Sequence, residues 1–85
     1  MANGYSLVYA EQAADFLLSL KRSKLTALLY DLRCLALDPF VRSDYRLDDG
    51  QGRQIEHLLI DEFVIGFWVD HSSKELRIID ITAVA

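Results

Sequence analysis

An α+β domain is the fold that this 85-residue sequence predicts: a strand and a helical hairpin, then an antiparallel sheet. Three observations carry that reading. Segments 53–60 (RQIEHLLI), 63–70 (FVIGFWVD) and 75–81 (ELRIIDI) are rich in β-branched and aromatic residues and are parted by short turns. Ahead of them, leucines recur at helical spacing between residues 25 and 35. At the start, YSLVY (5–9) alternates and is rich in β-formers. The order is β-α-α-β-β-β in one domain spanning 1–85.

The first helix is expected over 10–22, AEQAADFLLSLKR, with Glu11 and Asp15 early and Lys21 and Arg22 late, as the helix dipole favours. Ser23 is the expected N-cap of a second helix that runs to about Leu37. Leu25, Leu28, Leu29, Leu32 and Leu35 form its apolar stripe. Asp38-Pro39 ends it, because the residue before proline avoids the α region. So short a joint predicts an antiparallel helical hairpin. Residues 40–52, FVRSDYRLDDGQG, read as a polar connector with a short strand about Tyr45–Leu47 and a turn at Asp49-Gly50. Asp61-Glu62 and His71–Lys74 turn the last three strands.

A composition 52 % hydrophobic suffices for one core. Cys34 is the only cysteine, which excludes an intrachain disulfide framework and fits a reducing, cytoplasmic setting. No basic start leads into a long apolar run, so neither a signal peptide nor a membrane span is expected. A net charge of −4 weighs against nucleic acid, whose phosphates need clustered lysine and arginine. No His/Cys/Asp/Glu spacing supports a metal, and no cofactor is expected.

Strand parity then sorts the side chains. A two-residue turn sets Leu59 opposite Val64, His57 opposite Gly66 and Ile55 opposite Trp68. A four-residue turn sets Trp68 opposite Arg77 and Gly66 opposite Ile79. One face collects Leu58, Ile60, Phe63, Ile65, Phe67, Val69, Leu76 and Ile78, with Glu56 and Asp80 at its margins. Burying each such apolar side chain contributes roughly 1.5–3 kcal/mol, so this face belongs under the helices. The other face collects Arg53, Ile55, His57, Leu59, Val64, Gly66, Trp68, Asp70, Arg77, Ile79 and Ile81. A single-layer sheet leaves that mixed surface open, and such patches mark a partner or a ligand.

With these faces placed, the chain resembles the RelE/ParE toxins of bacterial toxin–antitoxin modules over nearly its whole length. YSLVYAEQAADFLLSL looks like that family's first strand and helix, although Ala10 stands where a Ser or Thr cap is common. LALDPF looks like the end of its second helix, YRLDDG like its connector, and DEFVIGFWVDHSSKELRIIDI like its central strand, turn and last strand. The resemblance implies a compact toxin neutralised by an antitoxin segment wrapped around it. It implies one of two targets, mRNA in the ribosome (RelE-type) or DNA gyrase (ParE-type, which lacks the nuclease residues). RelE-type nucleases use basic groups on the open sheet face, with Arg and Tyr near the C-terminus, to stabilise phosphate charge and move a proton. Residue by residue that pattern fails here. Val64 stands where it wants Arg, Phe67 where it wants Tyr, and His57 is the one stand-in for a basic residue on the preceding strand. After the last strand, where a basic segment and short helix are expected, the sequence reads TAVA.

Each candidate residue has a plain structural reading beside the functional one. His57 suits proton transfer by its reference pKa of about 6.5, or is a strand histidine on a binding surface. Trp68 and Arg77 make a cross-strand cation–π pair, or an interface anchor. Arg42, Arg46 and Arg53 offer phosphate contacts, but Asp44, Asp48 and Asp49 alternate with them as in a solvated loop. Gly66 permits close backbone approach or leaves space for His57. His71 is a turn residue, and Cys34 a small, mostly buried side chain on the hairpin. Three function classes follow. The first is a toxin-like module that binds an antitoxin through Ile55, His57, Val64, Trp68, Arg77 and Ile79. The second is a ribosome-dependent mRNA endonuclease using His57, Arg53 and Arg77 with Arg46. The third is a homo-oligomer, a homodimer for instance, that hides the mixed face.

Overall fold

The leucine stripe of the second helix and the odd-numbered side chains of segment 63–69 meet across a helix–sheet interface. The computed structural model describes residues 4–40 and 43–84; Arg42 lies outside them. In chain order the elements are β1 (Ser6–Tyr9), α1 (Glu11–Leu18), α2 (Arg22–Leu37), β2 (Tyr45–Asp48), β3 (Gln54–Ile60), β4 (Phe63–Asp70) and β5 (Glu75–Ala83). One five-stranded sheet has the order β1-β5-β4-β3-β2. β2 to β5 pair antiparallel, as expected. β1 joins the far edge parallel to β5, with Ser6 beside Glu75 and Tyr9 beside Ile78. The N–H groups of Ser6 and Ala10 donate to the carbonyls of Lys74 and Ile78 and fix both ends of that pairing.

The first helix is shorter than its sequence suggests. Both the hydroxyl and the N–H of Ser19 bond the Phe16 carbonyl, and Leu20 N–H bonds Leu17. A serine that satisfies a backbone carbonyl locally competes with helix propagation. Lys21 and Arg22 therefore open α2 instead of closing α1. Lys21, not Ser23, stands at the N-cap of α2 and supplies no side-chain cap. The expected match of basic residues to the dipole of α1 is thus corrected: no basic residue lies in its last turn. The far end of α2 is as expected, with Asp38 as C-cap before Pro39.

Parity places the core. Ala13 and Leu17 of α1 and Leu28, Leu32, Leu35 and Ala36 of α2 pack on Phe63, Ile65, Phe67, Leu76, Ile78 and Ile81. Ile81 is the departure, because equal spacing put it on the open face. A β-bulge between Gly66 and Phe67 shifts the β4–β5 register by one residue. Trp68 pairs with Arg77 and Phe67 with Ile78, as expected, but Gly66 pairs with Asp80 and Ile65 with Ile81. Ile79 is the extra residue. A bulge reverses the facing of everything beyond it, so Ile81 enters the core and Asp80 leaves its margin for the open face.

The turn between β4 and β5 depends on a carboxylate. Asp70 accepts hydrogen bonds from Ser72 Oγ, Ser72 N–H and Ser73 N–H. These bonds, led by that from the Ser72 hydroxyl, hold its pKa at about 2, below the ordinary 3.8. A lowered folded-state pKa contributes stability that is present above the unfolded value and lost as pH falls through the folded one. Acidification from about pH 4 to about pH 2 is therefore expected to loosen this turn. The measurement is the Asp70 carboxyl ¹³C shift, and a midpoint at the ordinary aspartate value would contradict these bonds.

Candidate functional site

The face of the sheet away from the helices carries three rows of side chains. In the first, Tyr45 pairs with His57, His57 with Gly66 and Gly66 with Asp80, so one line crosses β2, β3, β4 and β5. The second runs through Leu47 and Ile55, and through Trp68, Arg77 and Val8. The third is Leu59, Val64 and Thr82. Leu47 and Leu59 are exposed; Val64, Trp68, Arg77 and Ile79 are partly covered.

His57 lies at the centre of the first row and is only 9 % exposed. The Tyr45 ring stacks on it, with centroids 4.7 Å apart and planes 4° from parallel. His57 Nδ1 is 3.1 Å from the Ile55 carbonyl oxygen. A carbonyl only accepts, so Nδ1 carries a proton, and in that tautomer Nε2 is left as the ring's acceptor. Gly66, the cross-strand partner of His57, carries no side chain of its own on this face. The nearest neighbour over it is Asp80, whose Oδ1 would lie 2.6 Å from a Cβ at this position. Tyr45 and Asp80 were not among the candidates from sequence. The adjacent Ile78-Ile79 pair and the glycine within β4 are the signals for Asp80, and no comparable signal marks Tyr45.

Trp68 anchors the second row. Arg53 and Arg77 hold their guanidinium carbons 5.1 and 5.8 Å from its ring centroid. Each arginine is also neutralised, Arg53 by Asp49 at 2.6 Å and Arg77 by Glu75 at 2.7 Å. The clamp is therefore close to charge-neutral and presents aromatic surface more than free cation. Arg77 Nε is buried with no partner among the described residues.

The remaining candidates divide. Ile55 is 6 % exposed, so on the folded chain it backs the face and does not present itself. Ile79, displaced from its place opposite Gly66 by the bulge, is half-buried. Arg46 is not brought to His57 at all. It pairs across the strands with Glu56, Nε to Oε1 2.8 Å, at an alternate position of β2 and so on the helix side. Burial raises the Glu56 pKa, but the hydrogen bonds from Ser43 and Arg46 outweigh it and leave the carboxyl below its ordinary value. Carboxylates knit the connector, as the loop reading expects. Asp44 accepts from Leu59 N–H, Asp48 from Gly50 N–H, and Asp49 from Gln51 and Arg53 N–H.

Beyond the end of α2 a cleft of about 330 Å³ is lined by Phe40, Arg46, Gln54, Glu56 and His71 among others. His71 stacks on Phe40 at 5.3 Å and shares a 2.9 Å hydrogen bond with the Tyr5 hydroxyl. Cys34, expected to be mostly buried, is instead exposed on α2. No group of three or more metal-ligating side chains is found among the described residues, nor a helix long and apolar enough to cross a membrane.

The arrangement of elements has close counterparts. The archaeal RelE–RelB complex of Pyrococcus horikoshii contains a chain that superposes with a TM-score of 0.74 at 16 % identity, covering 100 % of this chain and 98 % of that one. A chain of the intact Escherichia coli RelBE toxin–antitoxin complex gives 0.74 at 13 % identity, over 95 % and 98 % of the two chains. The fold is that of the RelE toxins. A chain of the RelBE2 toxin–antitoxin complex of Mycobacterium tuberculosis agrees, with a TM-score of 0.73 at 14 % identity over 94 % and 98 %. No protein-family model and no curated protein matches the sequence. On this RelE fold, the Trp68 clamp and the Tyr45–His57–Asp80 row occupy the sheet face that the helices leave uncovered.

Proposed function

We propose that the protein is the toxin-like component of a bacterial toxin–antitoxin pair and acts mainly by binding protein. The observation that carries this reading is the open face itself. Trp68 sits between two arginines, residue types enriched among interface hot spots, and farther along the same face Leu59 is exposed and Val64 half-covered. The RelE fold, found in complexes of toxin with antitoxin, supports an antitoxin as the partner. Val64 in place of an arginine goes with a protein target, such as DNA gyrase, better than with RNA. A cytoplasmic setting belongs to the same reading.

The test is a binding measurement with the product of the adjacent gene. Trp68→Ala is expected to weaken the complex by about 2 kcal/mol or more, roughly 30-fold in Kd. Binding indifferent to that change would remove this surface from the account.

A second reading, a ribosome-dependent mRNA endonuclease, draws on the first row. His57 offers Nε2 as a proton acceptor, Asp80 adds a carboxylate, and Arg53 and Arg77 stand nearby to face phosphate. Induced expression would then halt translation and leave cut messages, and His57→Ala would abolish both. Intact messages after induction eliminate the nuclease.

A further inference from the structure

We propose that the edge strand β2 is a self-association surface through which two copies of this chain join their sheets, antiparallel and centred on Leu47. Among the described residues β2 has a neighbour, β3, on one side only. Its outward phase follows from one hydrogen bond. Asp49 N–H donates to the Arg53 carbonyl, which makes Asp49 and Arg53 a bonded pair. In an antiparallel ladder bonded pairs alternate with non-bonded ones. Tyr45 and Leu47 therefore bond towards β3, while Arg46 and Asp48 turn their N–H and C=O groups away from it.

A two-fold axis normal to the sheet keeps like faces together, so the symmetric register must be centred on a residue and not between two. Only two centres leave β2 well overlapped. Centring on Arg46 sets Arg46 against its own copy, like charge on like, which is unfavourable across strands. Centring on Leu47 sets Arg46 opposite Asp48 of the second copy, and Asp48 opposite its Arg46. The same two pairs then exchange all of their outward backbone hydrogen bonds. Leu47, 55 % exposed on the single chain, meets its own copy at a non-bonded position, where side chains come closest.

Charged residues on edge strands usually guard against such pairing. Here the two charges are of opposite sign and two residues apart, so in this one register the guard becomes complementary. Neither charge has to abandon its present contacts. Arg46 Nε stays on Glu56, and Asp48 Oδ1 stays on Gly50 N–H, which leaves Oδ2 for the incoming guanidinium. A strand of four residues makes a small interface, so the dimer is concentration-dependent. In the joined sheet both open faces lie on the same side. A partner with two binding segments would therefore engage both at once and gain by effective concentration.

Sedimentation velocity over a wide concentration range tests this on the full chain. The wild type is expected to pass from monomer to dimer. Asp48→Arg places arginine opposite arginine at both ends and should weaken dimerisation roughly tenfold or more, with the far-ultraviolet circular dichroism unchanged. The charge swap Arg46→Asp with Asp48→Arg should restore it. In a Cys34→Ser background, Leu47→Cys should form an inter-copy disulfide on mild oxidation, whereas Leu59→Cys, on the next strand in from the edge-to-edge seam, should not. A monomer at every concentration overturns the proposal. So does a dimer indifferent to Asp48→Arg, or cross-linking at residue 59 with none at residue 47.

Discussion

Replacing Phe67 with alanine is expected to cost about 3–5 kcal/mol and to lower the melting temperature by upwards of roughly 12 °C. Phe67 is the largest of the fully buried side chains, 1 % exposed, and lies directly beside the bulge. The loss has two parts, the transfer free energy of the ring and the cavity that rigid neighbours cannot refill. Its surroundings, Ile65, Leu76 and Ile78, are themselves wholly buried and come from strands fixed by ladders on both sides, so little collapse is available. Domains of this size hold only about 5–15 kcal/mol in total, and the variant should be close to unfolding at physiological temperature. Chemical denaturation checks it; a change under about 1 kcal/mol would place the ring outside the core.

Ile81→Ala is expected to destabilise by about 2–5 kcal/mol, while Ile79→Ala stays near 1 kcal/mol. Both isoleucines share a parity and would behave alike in an unbroken strand. The bulge separates them: Ile81 is 3 % exposed under the helices, and Ile79 is the half-buried extra residue. Equal and small effects from the two substitutions would mean that β5 runs straight and that Asp80 faces the core. The pair of denaturation curves thus reads the register directly, without a structure.

The same bulge marks how far the sequence could be read. β4 was legible in full because Phe63, Ile65 and Phe67 alternate with Val64, Gly66 and Trp68, and only one phase buries the larger apolar set. The Trp68–Arg77 pair followed from turn length, and the end of α2 from Asp38-Pro39. The bulge itself depends on side-chain fit over Gly66, a tertiary matter, and its loss from the reading misplaced Ile79, Asp80 and Ile81 together. The end of α1 turned on one serine bonding backwards at Ser19, against a periodic pattern that continued past it. His57 was picked out by type and facing, but its burial comes from Tyr45, a ring delivered by a connector whose strand was only sketched. The position of β1 was beyond local reasoning altogether, since a parallel neighbour leaves no turn to mark it.

That position sets the order of assembly. β1 has its ladder with β5, and almost the entire chain is made between them. During synthesis the first strand leaves the ribosome with nothing to bond to, and the hairpin after it must wait, greasy side uncovered, for Leu76, Ile78 and Ile81 to emerge. Closure at such long range is slow and leaves an intermediate open to misassociation. A newborn chain of this kind would gain most from a companion that is already present when its last strand appears.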